Sequence, residues 1–134
     1  MLKTDHIAIL VPDIDEALEF WRDALGLELE QVEEVASQGA KVAFLPLGDH
    51  AIELVQPTTE TSGMAKYLDK RGPGVHHICF KVDDIEATLA RLKAEGVQLI
   101  NEEPVEGAHG KKVAFIHPKS ASGVLVELSQ PGAE

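Results

Sequence analysis

The stretch HIAILVPDI at residues 6–14 recurs 71 positions later as HICFKVDDI at residues 77–85. Each copy opens on a histidine, continues through apolar residues typical of a strand, and closes on an aspartate and an isoleucine. The KVAF segment at residues 41–44 recurs with the same offset at residues 112–115. Since two copies are too few for a solenoid, the repeat predicts two similar modules that share one core.

Each copy of the repeat reads as a βαβββ module. Asp13-x-x-Glu16 and Asp83-x-x-Glu86 have the spacing of capping boxes that open a helix, and a glycine stands just after each predicted helix. One strand precedes each helix, and three shorter strands follow it. The predicted strands are residues 4–11, 27–35, 40–47 and 51–56 in the first copy, and 75–82, 97–101, 111–116 and 124–129 in the second.

The domain organisation follows from the repeat. We expect one domain over residues 1–134, with the first module at 1–57, a linker at 58–73 that contains a short helical turn, and the second module at 74–131. The fold class is α+β, in which both modules contribute to one pseudo-twofold, partly closed mixed sheet. Pseudo-twofold pairing would bring equivalent faces of the modules together in one cleft.

The composition excludes several classes of protein. The 134 residues include 12 Lys and Arg against 23 Asp and Glu, a formal charge of −11, so a general attraction to nucleic acid or anionic membranes is not expected. A single cysteine, Cys79, excludes an intrachain disulfide. The apolar runs are too short to span a bilayer, and the first residues resemble a strand rather than a signal peptide. We therefore expect a cytoplasmic protein.

Strand alternation places one histidine and one glutamate of each module on the face turned away from the module's helix. The histidines are His6 and His77 in the first strand of each module, and the glutamates are Glu53 and Glu127 in the fourth. Two imidazoles and two carboxylates suit a divalent metal such as zinc, nickel, cobalt, manganese or iron. The alternative is that each is a paired structural residue, but the matched register of all four favours a metal site.

The architecture and these four residues resemble the vicinal oxygen chelate superfamily, also called the glyoxalase fold. Within it, the chain resembles the methylmalonyl-CoA epimerases over nearly its whole length. The first matching segment is general to the superfamily, whereas the last three are more specific to the epimerases. The segments are residues 5–13, 74–79, 102–104, 107–110, 117–120 and 123–128.

The resemblance implies that the sheet surrounds a metal cleft, with ligands at His6, His77 and Glu127 and a fourth ligand position at Glu53. It also implies epimerisation of (R)- and (S)-methylmalonyl-CoA, in which an α-proton is removed and returned to the opposite face through a metal-stabilised enolate. Some epimerases of this type have a second basic glutamate where this chain has Val42. We therefore interpret Glu127 as one base and Glu53 as the other, with a purely ligating role as the alternative for Glu53.

Coenzyme A would bring phosphates to an acidic chain, so its binding requires local cations. Lys119 and Ser120 lie in the epimerase-like His-Pro-Lys-Ser stretch, and His109 lies in the loop at residues 107–110. We expect these three residues to bind the coenzyme A part of the substrate. We also expect a homodimer, with neither nucleic acid nor membrane as a partner.

Two other functions fit the same fold. A lactoylglutathione lyase of the glyoxalase I type would use the same four ligands on a glutathione adduct, but the turn that begins at His117 and the compact length favour the epimerase. A metal-free protein that binds a small molecule is the second alternative. The complete set of four ligands argues against it.

Overall fold

The computed structural model describes residues 2–132, which form two compact units. One unit contains residues 6–76, and the other contains residues 77–132 together with residues 2–5 from the start of the chain. Each unit combines the strands and the helix of one module, so the predicted α+β class is confirmed. Among residues 2–132, no helix is long and apolar enough to cross a membrane.

The elements of the first module and the linker lie in the unit of residues 6–76, except that the first three residues of β1 belong to the other unit. These are β1 (Lys3–Leu10), α1 (Ile14–Leu18, continued by a π-helical turn at Glu19–Ala24), β2 (Gln31–Val35), β3 (Ala40–Leu47), β4 (His50–Pro57) and α2 (Gly63–Arg71). The strand order is β2-β3-β4-β1. β4 is parallel to β1 and antiparallel to β3, which is in turn antiparallel to β2.

The unit of residues 77–132 repeats this arrangement. The elements of the second module are β5 (Gly74–Lys81), whose first three residues belong to the other unit, α3 (Ile85–Ala94), β6 (Val105–Glu106), β7 (Lys112–Ile116) and β8 (Val126–Gln130). The strand order is β5-β8-β7-β6, which corresponds to the order of the first module read from β1 to β2. β5 and β8 are parallel, and the other pairs are antiparallel.

The helix that follows the first strand of each module begins at a capping aspartate. Asp13 Oδ1 accepts a hydrogen bond from the backbone N–H of Glu16 at 3.2 Å. In the second module, Asp84 Oδ1 accepts from the N–H of Ala87 at 3.0 Å. The capping box predicted from Asp83 is therefore wrong by one residue, and Asp84 is also the residue that the 71-position offset aligns with Asp13.

The strand predicted at residues 97–101 is wrong. Leu99 makes only an isolated bridge to Ile116, and the edge strand β6 lies further along the chain. Asn101 Oδ1 accepts the backbone N–H of Phe115 at 2.8 Å, so a side chain takes the place of the backbone acceptor that a strand would supply.

Two other segments differ in extent from the sequence prediction. The strand predicted at residues 27–35 covers only Gln31–Val35, because the N–H of Leu27 still donates to the carbonyl of Trp21 in the π-helical turn, at 3.0 Å. The helical turn predicted in the linker is the nine-residue helix α2, capped by the side chain of Ser62.

The strands of each module bury apolar side chains under the helix of that module, as alternation requires. In the first module this cluster contains Ile9, Val11, Ile14, Leu18, Ala43, Leu45 and Leu54. The opposite face of the same strands packs against α2 through Ala8, Leu10, Ala40, Val42 and Val55. In the second module the cluster under α3 contains Val82, Ile85, Leu89, Ala114, Ile116 and Leu128.

A glutamine at the end of the fourth strand ties each helix to its sheet. Gln56 Oε1 accepts the backbone N–H of Ile14 at 2.8 Å, and Gln130 Oε1 accepts that of Ile85 at 2.9 Å. These N–H groups belong to the first turn of each helix, where no intrahelical acceptor exists. The repeated glutamine therefore replaces an acceptor that the helix itself does not provide.

Replacing Gln56 by methionine should lower the free energy of unfolding by about 1 kcal/mol, because the partly buried N–H of Ile14 loses its acceptor while the side-chain length is kept. Gln56→Glu retains an acceptor oxygen, so its free energy of unfolding should lie much closer to that of the wild type. Urea denaturation of the two variants measures the difference. Equal stability of Gln56→Met and the wild type would contradict this role.

Candidate functional site

The first module places a histidine and a glutamate in contact on one face of its sheet. β1 presents His6 on the same face as Ala8, and β4 presents Glu53 in register with Ala8. His6 Nδ1 lies 3.0 Å from Glu53 Oε2, and the two side chains are only 9% and 14% exposed. A carboxylate and an imidazole are thus held together in a largely buried position.

The second module contains the equivalent pair. β8 presents Glu127 between Cys79 of β5 and Phe115 of β7. His77 Nε2 lies 3.0 Å from Glu127 Oε1, with side chains 11% and 8% exposed. The ring of Phe115 meets the imidazole of His77 edge to face, with centroids 5.5 Å apart, which fixes the plane of that imidazole.

The two pairs consist of the same residue types, although His6 contacts its glutamate through Nδ1 and His77 through Nε2. A buried carboxylate is costly unless a donor or a cation neutralises it, and in each module the adjacent imidazole is such a partner. Carboxylate oxygen and imidazole nitrogen are also the donors that divalent transition metals accept. The residues present therefore fit a divalent ion, and they equally fit a carboxylate that takes up and returns a proton.

His76, which precedes His77, and Val42 have surroundings different from those of the His–Glu pairs. The ring of His76 packs against Tyr67 at 5.1 Å, and the guanidinium of Arg71 lies 5.2 Å from the centre of the same Tyr67 ring. Val42 is buried in the apolar cluster beneath α2, so it brings no acid or base to this face.

The residues predicted to bind coenzyme A lie in two turns of the second module. Ser120 Oγ accepts the N–H of Gln98 at 2.9 Å, and His117 Nδ1 accepts the N–H of Lys119 at 3.0 Å. The Lys119 residue is exposed. His109 has a φ of +60°, a left-handed conformation that non-glycine residues seldom adopt. Their role in binding stays a prediction.

Sequence reasoning missed a charged cluster in the second unit. Asp5, only 9% exposed, lies 3.6 Å from Lys111 Nζ and 4.0 Å from Lys81 Nζ. Asp5 directly precedes His6 and aligns with His76 in the repeat, so the comparison of the two copies offers no signal for a carboxylate there.

Comparison with known proteins identifies the family. The sequence-family model of the glyoxalase/bleomycin resistance protein/dioxygenase superfamily matches residues 5–115 of this chain. The mitochondrial methylmalonyl-CoA epimerase of Mus musculus is 40% identical over 96% of this chain and 72% of its own length. The ethylmalonyl-CoA/methylmalonyl-CoA epimerase of Cereibacter sphaeroides is 42% identical over 96% of this chain and 97% of its own. A probable lactoylglutathione lyase of Vibrio cholerae is 33% identical, with coverages of 93% and 88%.

Solved structures agree with these relatives. A methylmalonyl-CoA epimerase in complex with methylmalonyl-CoA and an ammonium ion matches with a TM-score of 0.92 and 37% identity, covering 99% of this chain and 96% of that one. The epimerase of Mycobacterium tuberculosis matches with a TM-score of 0.90 and 40% identity, covering 97% and 88%. The chain therefore belongs to the glyoxalase/bleomycin resistance protein/dioxygenase superfamily, and within it is a homologue of the methylmalonyl-CoA epimerases.

Proposed function

We propose that this chain interconverts the two epimers of methylmalonyl-CoA. The observation that supports it is the pair of buried His–Glu contacts at equivalent positions of two modules, in a chain whose relatives are named as epimerases of this substrate. Epimerisation removes a proton from the carbon between a thioester and a carboxylate and returns a proton to the opposite face. The reaction thus requires two acid–base groups, and each module supplies one glutamate.

The proton transfers belong to Glu127 and Glu53. Glu127 takes or gives the proton on one face of the reacting carbon, and Glu53 does so on the other. His77 and His6, each 3.0 Å from its glutamate, orient the two carboxylates and stabilise their charged forms. Burial of all four side chains excludes most water from the carboxylates, which favours exchange of protons with the substrate over exchange with solvent.

His6, Glu53, His77 and Glu127 would together hold one divalent metal ion, of the cobalt, nickel, zinc, manganese or iron type. Such an ion supplies electrostatic stabilisation for the negative charge that develops on the thioester oxygen. The matching of the four residues by the internal repeat and the donor chemistry of the two buried pairs support this set. Glu53 then serves as ligand and base, or as ligand alone.

The coenzyme A part of the substrate would be bound by Lys119, Ser120 and His109. The exposed Lys119 residue offers a cation for a phosphate, and its turn is ordered by the hydrogen bond from its own N–H to His117. The homodimer and the cytoplasmic location remain predictions from the sequence.

A lactoylglutathione lyase is a second candidate, favoured by the Vibrio cholerae relative. That reaction also moves a proton between two carbons of a thiol adduct, and the same glutamates would serve it. The two candidates differ in substrate, a coenzyme A thioester against a glutathione hemithioacetal, and one assay separates them.

Incubation with methylmalonyl-CoA in heavy water should incorporate deuterium at the α-carbon and interconvert the epimers, because each turnover passes through the deprotonated carbon. The exchange should depend on an added divalent metal such as cobalt and should stop when a chelator removes it. Mass spectrometry and a stereospecific assay measure both effects. Absence of exchange with every divalent metal, together with turnover of the glutathione hemithioacetal, would assign the lyase instead.

Glu127→Gln and Glu53→Gln should each reduce epimerisation by about a hundredfold or more, because an amide cannot accept the α-proton. Thermal unfolding of both variants should still show a folded protein. Glu34→Gln, at an exposed position of β2, is the matched control and should retain wild-type activity. An active Glu53→Gln enzyme would remove Glu53 as a base and leave it as a ligand.

A further inference from the structure

The two modules differ in the lining of the sheet face that presents the His–Glu pairs. In the first module this face continues from His6 into an apolar cluster of Ala8, Leu10, Ala40, Val42 and Val55. Helix α2 covers the cluster with side chains that include Met64, Tyr67 and Leu68. The first module therefore fills this part of its face with its own hydrophobic core.

The equivalent positions of the second module are polar. The 71-residue offset makes Leu10 correspond to Lys81 and Ala40 to Lys111. The segment ELVQP at residues 53–57 recurs as ELSQP at residues 127–131, an offset of 74, so Val55 corresponds to Ser129. The remaining two positions are Cys79 and Val113. Two ammonium groups and a hydroxyl thus replace three apolar side chains at the positions that contact α2 in the first module.

The two lysines surround one buried carboxylate without being neutralised by it. Lys111 Nζ and Lys81 Nζ lie 3.6 and 4.0 Å from the oxygens of Asp5, longer than the roughly 2.7–2.9 Å of a direct charge-assisted hydrogen bond. Asp5 therefore offers one carboxylate to two ammonium groups, and neither contact is a direct hydrogen bond. Their side chains are 29% and 40% exposed, so an entering anion has access to both ammonium groups.

The hydroxyl of Ser129 is buried on the strand that neighbours Lys81. Ser129 is 2% exposed, and among residues 2–132 its Oγ has no hydrogen-bond partner. It lies in register with Lys81 of β5 and Val113 of β7. Since buried hydroxyls in folded proteins are nearly always hydrogen-bonded, an unsatisfied hydroxyl in register with Lys81 indicates a ligand that this face is built to receive.

The position of Ser129 relates this cluster to the reacting groups. Ser129 follows Glu127 by two residues in β8, so both side chains lie on one face and their α-carbons are separated by about 7 Å. Gly107 packs closely against the side chain of Val113, the residue in register with Ser129, since a Cβ at residue 107 would lie only 2.8 Å from Val113 Cγ1. The cluster is therefore part of the same lined face as the proposed base.

We propose that Lys81, Lys111 and Ser129 form an anion subsite that receives anionic oxygens of the acyl-CoA, with Asp5 holding the two lysines in place when the subsite is empty. The inference rests on the proposed function and extends it. Two groups of the substrate share the required chemistry, the free carboxylate beside the reacting carbon and the phosphates of coenzyme A. A subsite on the Glu127 face would anchor the asymmetric substrate in one orientation.

Calorimetric titration of the metal-loaded protein tests the subsite with three ligands. Malonyl-CoA has both anionic groups, propionyl-CoA lacks the free carboxylate, and malonyl-pantetheine lacks the phosphates. Lys111→Gln and Ser129→Ala should each weaken malonyl-CoA binding about tenfold or more. If the carboxylate is bound, the variants also lose affinity for malonyl-pantetheine but not for propionyl-CoA. If a phosphate is bound, the variants lose affinity for propionyl-CoA but not for malonyl-pantetheine.

Lys112→Gln is the matched control, because Lys112 adjoins Lys111 in the chain but pairs with Glu86 of α3 at 3.4 Å. It should bind all three ligands as the wild type does. Wild-type affinity of Lys111→Gln and Ser129→Ala for malonyl-CoA would overturn the subsite, as would equal losses for all three ligands or the same loss in Lys112→Gln. Selective losses in a protein that catalyses no α-exchange would instead refute the epimerase while retaining the subsite.

Ser129→Val, which restores the residue of the first module, separates binding from stability. Because the hydroxyl is buried without a partner, its replacement should leave the free energy of unfolding unchanged or raise it. The same variant should bind malonyl-CoA about tenfold more weakly. Urea denaturation and calorimetry measure the two effects, and a variant that is destabilised yet binds normally would show that Ser129 is a structural residue.

Discussion

The contact between a buried glutamate and an imidazole, at 3.0 Å in each module, is the constraint on which the site depends. A carboxylate that is 8–14% exposed cannot remain charged without a partner, and the partner must come from another strand. Parallel pairing of the first and fourth strands of each module provides that neighbour. A register slip of one residue would turn Glu53 or Glu127 to the opposite face, into the apolar cluster under the helix.

The register is in turn held from the other side of the sheet. In each module, the glutamine three residues after the buried glutamate accepts a hydrogen bond from the first turn of the helix, Gln56 from Ile14 and Gln130 from Ile85. Leu54 and Leu128, which directly follow the two glutamates, pack in the apolar clusters under the same helices. One strand therefore couples the apolar core on one face to the carboxylate on the other.

The internal repeat made much of this arrangement predictable. It located β3 at Ala40–Leu47 and placed each histidine and glutamate on the face turned away from the helix, because side-chain alternation needs only the strand and its phase. The repeat wrongly predicted a strand at residues 97–101, where the side chain of Asn101, rather than a backbone carbonyl, accepts the N–H of Phe115. Local side-chain hydrogen bonds of this kind leave no periodic trace in a sequence.

The charged cluster was unpredictable for a related reason. Asp5 meets Lys81 and Lys111 through contacts between segments that are distant in the chain, and the repeat has no carboxylate at the corresponding position. The two buried His–Glu pairs could be located from the sequence because the repeat duplicates them. Asp5, Lys81 and Lys111 differ between the two modules, so the repeat did not point to them. They could be recognised only once the structure showed which side chains share the face of the His–Glu pair.

That difference follows from the chemistry of the proposed reaction. Removal and return of a proton on opposite faces of one carbon asks for two similar acid–base groups, which duplication of a module supplies in Glu53 and Glu127. The substrate itself is not symmetric, since a thioester chain leaves the reacting carbon on one side and a carboxylate on the other. A protein with two identical faces would bind it in two orientations. Filling one face with Leu10 and Val55 beneath α2, and lining the other with Lys81 and Ser129, would remove that degeneracy while keeping one His–Glu pair in each module.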